Sequence, residues 1–263
     1  MGLYTAAMPD QYEYGGLMAS TWDLFRGDTS GWEDRPFYLA LIRRHGEPAL
    51  DVGCGTGRLL LDYLAQGVDV DGVDDSPEML AICRHRAKSV GLRPNLYRQR
   101  MEALALPRRY RTIFVPSSSF QLLVDPDAAR RAMAGFHAHL EPRGALVMPF
   151  LDRAGLAPPE GVAWVREVQR PGDGATVRRM STARFDEATG TESSTEVFEL
   201  VVDGQVVERE EHGRDPDVRW YSQPDARALF EAAGFEVEQV VGGFTDHPVV
   251  PGDEVFTVIG VRP

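Results

Sequence analysis

The sequence predicts an α/β protein, a mainly parallel sheet with helices on both faces into which a smaller antiparallel sheet is inserted. Three observations carry this. Residues 49–57 read Ala-Leu-Asp-Val-Gly-Cys-Gly-Thr-Gly, an apolar run closing on glycines at every second position, and residues 58–65 resume at helical spacing. A buried strand therefore turns sharply into a helix. Strand-like and helix-like runs then alternate as far as Phe150, the pattern of parallel βαβ units. Beyond Leu151 the composition shifts to β-rich runs separated by Pro171-Gly172-Asp173-Gly174, Glu187-Ala188-Thr189-Gly190 and Asp203-Gly204, which read as antiparallel strands with short turns.

The chain has 263 residues, long enough for one large α/β domain with an elaborate insertion. Its net charge of -12 makes it a poor partner for nucleic-acid phosphates, and only one of its basic residues, Lys88, is a lysine. No apolar stretch approaches the ~20 residues of a membrane helix, and the N-terminus lacks the marks of a signal peptide, so a cytoplasmic location away from membranes is expected. Cys54 and Cys83 are the only cysteines and give neither a disulfide framework nor a zinc spacing, so no metal is expected.

The glycine turn defines a ligand. Gly53, Gly55 and Gly57 admit a ligand close to backbone N–H groups, and the helix behind them favours a negative ligand group. A dinucleotide site needs Gly-x-Gly-x-x-Gly around a pyrophosphate. Here the spacing is Gly-x-Gly-x-Gly, and Asp51 would repel a pyrophosphate but suits a ligand carrying an ammonium group. Residues 50–57 resemble the first motif of the class I S-adenosylmethionine-dependent methyltransferases. The resemblance implies a Rossmann-like, seven-stranded, mainly parallel sheet, S-adenosyl-L-methionine as cofactor, S-adenosyl-L-homocysteine as product, and contacts at Asp51, Gly53, Cys54 and Gly55.

The other elements follow in order. Residues 1–35 are irregular and aromatic, with Tyr4, Tyr12, Tyr14, Trp22, Phe25 and Trp32 among glycines, and are expected to cover a cleft. Tyr14, seven residues, then Trp22-Asp23-Leu24-Phe25 resembles the Tyr-x7-Tyr-Asp-x-Phe pattern of actinomycete small-molecule N-methyltransferases of the deoxysugar-amine type, with Trp in place of the second Tyr. Tyr14 and Trp22 are thus candidates for the cofactor wall, and Tyr14 for the catalytic site; aromatic packing against the sheet edge is the alternative. Residues 33–45 read as a helix ending at Gly46. The second strand, 69–74, ends in Asp74, near the ~20-residue offset at which an acid accepts from both ribose hydroxyls. Ser76-Pro77 supplies a helix N-cap. The run 72–80 resembles the family's second motif, which implies cofactor contacts at Asp74, Asp75 and Met79.

A third strand over 95–99 leads to Arg100-Met101-Glu102. The family usually places an acid at the Arg100 position; Met101 and Glu102 remain cofactor candidates. The fourth strand, 112–116, opens on Arg111 where the family again has an acid, and its C-terminal Pro116 and Ser117 should border the methyl group. Phe120 is a catalytic-site candidate as a wall of the substrate pocket, with ordinary core packing as the alternative. A helix over 126–140 and the turn Glu141-Pro142-Arg143-Gly144 precede a fifth strand, 145–150. His137 and His139 read as solvated or capping residues. Strands are expected at 163–168, 176–185, 195–202 and 205–211; this insert is expected to roof the acceptor site, with a dimer interface or a simple stabilising layer as the alternative. The core resumes at 218–222 with a helix over 223–233 and a closing antiparallel pair, 236–241 and 254–261. Between these, Asp246-His247 is the one acid–base pair of interest, and His247 is a catalytic candidate against the alternative of a solvated hairpin tip.

The expected organisation is an aromatic cover (1–35), a methyltransferase core (36–150 and 212–263) and an inserted sheet over the acceptor site (151–211). The expected activity is methyl transfer to a small molecule, most simply an amine in antibiotic or other secondary metabolism, because a sulfonium leaving group asks chiefly for proximity and no general base is evident. O- or C-methylation and a non-catalytic S-adenosylmethionine-binding module are the alternatives. A homo-oligomer formed through the inserted sheet is a further expectation.

Overall fold

A computed structural model describes residues 14–153 and 164–263. Tyr4, Tyr12 and Ala163 lie outside the described residues. The main sheet is built from β1 (Ala49–Val52), β2 (Val70–Asp74), β3 (Leu96–Arg98), β4 (Tyr110–Phe114), β5 (Leu140–Leu151), β10 (Glu236–Gly242) and β11 (Val255–Val261). Its order is β10-β11-β5-β4-β1-β2-β3. β1 to β5 run parallel, and β11 is antiparallel to both β5 and β10. The chain moves outward from β1 to β3 and then returns to β4 beside β1. That reversal makes a topological switch point, where ligands bind beyond the strand C-termini.

Helices cover both faces. α2 (Asp34–His45), α3 (Leu60–Ala65) and α4 (Pro77–Ser89) lie on one, and Tyr38, Ile42, Leu60 and Tyr63 bury there against Phe114. α5 (Pro126–His139) and α6 (Gln223–Ala232) lie on the other, over a core of Phe120, Phe136, Phe150, Phe230 and Phe256. Each such ring contributes about 1.5–3 kcal/mol by leaving water. The helix starts follow their caps: Ser76 Oγ accepts from Met79 N at 3.1 Å, Asp125 accepts from the N–H groups of Asp127 and Ala128, and Ser222 with Asp225 forms a capping box.

Three local readings change. The turn expected at 141–144 is a bulge inside β5, where pairing with β4 jumps from Leu140 to Ala145. Gly144 belongs there because a Cβ would meet the Glu141 carbonyl at 2.9 Å and the Arg111 carbonyl at 3.0 Å. The N-terminal stretch expected to be irregular forms α1 (Gly16–Arg26), which packs Leu17, Met18 and Phe25 against Val177, Phe198 and Leu200. The third change lies in the second sheet, β6 (Trp164–Gln169), β7 (Thr176–Asp186), β8 (Thr191–Val202) and β9 (Gln205–Arg219), antiparallel in that order. β9 runs past Glu211 as far as Arg219, which pairs with Thr191. Among the described residues no helix is long and apolar enough to cross a membrane.

Candidate functional site

The turn after β1 is held by its own backbone. Gly53 N and Cys54 N both donate to the Val73 carbonyl, at 2.8 and 3.1 Å, and Gly57 N donates to the Cys54 carbonyl at 2.9 Å. Gly57 has φ 84°, and a Cβ there would meet Cys83 Sγ at 2.6 Å, so only glycine fits. Asp74, at the end of β2, ties the turn to the next helix: its carboxylate accepts from Gly55 N at 2.8 Å and from Ser76 N at 2.9 Å. Burial pushes its pKa up, and those two backbone bonds oppose the shift. With up to four acceptor positions on a carboxylate, Asp74 retains capacity for hydroxyl donors.

Beside this turn lies a cavity of about 570 Å³, the usual scale of a small-molecule site. Asp51 forms part of its floor. Asp51 is 1 % exposed, and its Oδ1 has no hydrogen-bond partner. Burial, with Asp74 and Asp34 adding to it against Arg58, raises its pKa from 3.8 to about 8. An orphaned, desolvated carboxylate at a cavity is what a cationic ligand group would satisfy. Arg58 is spent on a buried two-pronged pair with Asp34. Cys54 is also buried, and burial first, then Asp51 and Asp74, raise its thiol well above its ordinary value, so it stays protonated.

Helix α1, with Trp22 and Arg26, and Tyr14 just before it form one wall. Tyr14 meets Trp22 edge-on at 5.0 Å, Arg26 lies over the Trp22 ring at 4.7 Å, and Arg26 donates to Ser117 Oγ at 3.1 Å. Burial, and then the neighbouring Arg58, lower the Arg26 pKa. α1 is fastened at several points. Gly16 N donates to Glu78 and Leu17 N to Glu210, both at 2.7 Å, and Asp23 accepts from Thr56 Oγ1 and from Arg86, both at 2.8 Å. The far walls are Met79, Met101 and Glu102 on the β2–β3 side, Leu122 to Asp125 with Arg131 at α5, and Arg214 from β9. Glu102 is paired with Arg100 at 2.6 Å.

Tyr14, Trp22, Asp51, Gly53, Cys54, Gly55, Asp74, Asp75, Met79, Met101, Glu102, Pro116 and Ser117 all border this one cavity. Two other candidates do not. Phe120 is fully buried between Phe136, Phe150 and Tyr221, because its single 3-10 turn, Ser119–Leu122, points it into the core. His247 is exposed in the β10–β11 connection, its Nδ1 against the Pro248 carbonyl, away from the cavity. Sequence reasoning missed Arg26 and the Asp23–Thr56 contact. Both were accessible in principle: Arg26 follows Trp22 by one helical turn, and Asp23 stands inside the quoted aromatic pattern. Arg111, where an acid was expected, donates to the His45 carbonyl at the C-terminus of α2, a position that favours a cation. Among the described residues no group of three or more His, Cys, Asp or Glu side chains could hold a metal.

A family model described as a methyltransferase domain matches residues 49–144, from β1 to the β5 bulge. A dTDP-3-amino-3,6-dideoxy-alpha-D-glucopyranose N,N-dimethyltransferase of Streptomyces fradiae is 30 % identical over 95 % of this chain and 98 % of its own length. A dTDP-3-amino-3,4,6-trideoxy-alpha-D-glucopyranose N,N-dimethyltransferase of Streptomyces venezuelae is 31 % identical over 74 % of this chain and 77 % of its own. The crystal structure of DesVI from Streptomyces venezuelae superposes with a TM-score of 0.73 at 25 % identity, covering 95 % of this chain and all of that one. From the glycine turn to the inserted sheet, then, the chain belongs to the class I S-adenosylmethionine-dependent methyltransferases and is similar to the aminodeoxysugar N-methyltransferases of actinomycetes.

Proposed function

We propose that this enzyme methylates the amine of a small aminodeoxysugar, carried on a nucleoside diphosphate, as a step of secondary metabolism. The observation that carries the reading is the end-to-end similarity to a dTDP-aminodeoxysugar N,N-dimethyltransferase. The cavity supports it in two ways. None of the six histidines borders the cavity, which suits a neutral amine, a nucleophile without help, better than a hydroxyl that must lose its proton. Arg131 and Arg214 border the cavity, and planar cations suit a diphosphate.

The residues present fit S-adenosylmethionine. Asp51 Oδ1 would take the ammonium group and Arg26 the carboxylate, and the Asp74 carboxylate would take the ribose hydroxyls. Met79, Met101 and Glu102 would border the adenine, with Glu102 supplying the acid that Arg100 displaces. S-adenosylmethionine, when bound, would supply a methyl group that passes in line from its sulfonium sulfur to the amine nitrogen, leaving S-adenosylhomocysteine as the neutral thioether and a proton to be lost from the methylated amine. The chain's contribution is alignment and exclusion of water: Tyr14, Trp22 and Ser117 bound the reacting end, α1 covers it, and Arg214 brings the inserted sheet over it. In this reading the described residues as far as 35 are the cover, 36–150 and 220–263 the core, and the inserted sheet, which ends with β9 at Arg219 rather than at 211, the acceptor roof. The exposed Trp164, Val165, Val206 and Val207 on that sheet favour a homo-oligomer, which light scattering of the purified chain would reveal.

The functional test is turnover with methyl-labelled S-adenosylmethionine and a dTDP-linked 3-amino-deoxyhexose, beside its 3-hydroxy counterpart. Label transferred to the amino sugar alone is expected. Label on the hydroxy sugar alone would reverse the assignment to O-methylation, and binding of S-adenosylmethionine with no transfer would favour a binding module.

A further inference from the structure

The inserted sheet joins the core at two junctions, where β5 ends at Leu151 and where β9 ends at Arg219. One side chain reaches both. Gln121 is almost wholly buried; its Oε1 accepts from Leu151 N at 2.7 Å, and its Nε2 donates to the Arg219 carbonyl at 3.1 Å. Arg219 returns the contact, its Nε donating to the Val124 carbonyl at 2.9 Å. Gln121 itself does not border the cavity, but the loop around it does, through Pro116, Ser117, Ser119, Leu122 and Val124. On the other side of the junction, Arg214 of β9 borders the same cavity.

A buried amide with both ends satisfied has a single low-energy placement, because moving it strands two backbone groups. We infer that Gln121 and Arg219 are positioning residues that fix the inserted sheet against the loop bordering the cavity, and so set how the acceptor meets the methyl group. Neither touches the reacting atoms. This inference rests on the reading of the inserted sheet as the acceptor roof. Most of the cofactor side is held apart from the pair: Asp74 takes its partners from the glycine turn and the start of α4, and the α1 wall, although it also leans on Glu210 and the apolar face of the inserted sheet, is fastened to the core by Glu78 and by Asp23 with Thr56 and Arg86.

Misplacing reactants by about 1 Å can cost ~10²-fold in rate. Gln121→Leu in the full chain is therefore expected to lower kcat ~10- to 100-fold and to raise the acceptor KM, while the Kd for S-adenosylmethionine by calorimetry stays within about twofold. Arg219→Met leaves the buried amide in place and should shift the same two parameters in the same direction, which guards against a Gln121 variant that folds poorly. Each is assayed with whichever of the 3-amino or 3-hydroxy dTDP-sugars the wild type turns over, so failure of the amine assignment leaves this comparison intact. Unchanged acceptor KM and kcat in both variants would overturn the inference. So would a loss in which cofactor affinity falls in step with them, since that is the signature of a merely structural role.

Discussion

Replacing Asp51 with Asn is predicted to move two properties in opposite directions. In the folded, ligand-free protein burial raises the Asp51 pKa from 3.8 to about 8. An acid whose folded pKa is raised favours the folded state fully below pH 3.8, and that contribution is lost as pH rises towards 8. At pH 7 the folded protein holds a proton there that the unfolded chain has released, a penalty with a ceiling of ~4 kcal/mol. The variant removes the penalty but buries an incompletely bonded amide, which costs about 1–3 kcal/mol. The net expectation is a ligand-free protein more stable by roughly 1–3 kcal/mol, each worth about 2–4 °C in Tm at this size. Cofactor binding should move the other way. Oδ1 is the unpartnered atom at the cavity, and losing a charge-assisted bond to an ammonium group costs about 1.5–3 kcal/mol, or a Kd ~10- to 100-fold weaker at pH 8. Wild-type binding at pH 7 should also release a proton, because the carboxyl ionises to meet the cation; the variant should release none. Calorimetry in buffers of different ionisation enthalpy, with thermal melts of the ligand-free proteins, reads all three. Equal affinities at pH 8 would remove Asp51 from the ammonium site, and a binding loss accompanied by a lower Tm would mark it as structural instead.

Asp74→Ala should weaken S-adenosylmethionine binding by ~1–3 kcal/mol, since the ribose acceptor is lost; unchanged calorimetric affinity would remove Asp74 from the site. Asp217 lies nearly buried in β9 with one carboxylate oxygen unpartnered and the other accepting from Ser194, and burial raises its pKa from 3.8 to about 6. By the same sign, its contribution is full below pH 3.8 and lost as pH passes 6, so Asp217→Asn should raise Tm at pH 7 by the equivalent of ~1–3 kcal/mol and leave it little changed at pH 4. A variant that gains nothing at neutral pH would count against a desolvated charge there. Gly57→Ala meets a φ of 84° and Cys83 Sγ at 2.6 Å, and should destabilise by at least ~1–2 kcal/mol in denaturant unfolding.

What could be read from the sequence was what local chemistry determines. The glycine turn, the Ser76-Pro77 cap and the acid at the end of β2 each depend on neighbours within a few residues; the cap forms as read, and the turn and Asp74 border one cavity. Tyr14 and Trp22 were legible only through the aromatic pattern. Phe120 failed because the direction of a side chain on a single 3-10 turn is decided by what packs behind it, here Phe136, Phe150 and Tyr221. His247 failed because sequence cannot show that the β10–β11 connection stands away from the cavity. α1 was hidden by glycines at both ends, although Leu17, Thr21 and Phe25 fall on one helical face. The hold of Gln121 on both junctions spans 30 and 98 residues, beyond any local signal.

The most direct measurement is a crystal structure of the full chain with S-adenosylhomocysteine. The ammonium group is expected on Asp51, the carboxylate near Arg26, the ribose on Asp74, and the sulfur facing the space between Tyr14, Ser117 and Arg214. A ribose turned away from Asp74, or a sulfur that faces the core and leaves no room for an amine beneath the inserted sheet, would contradict it.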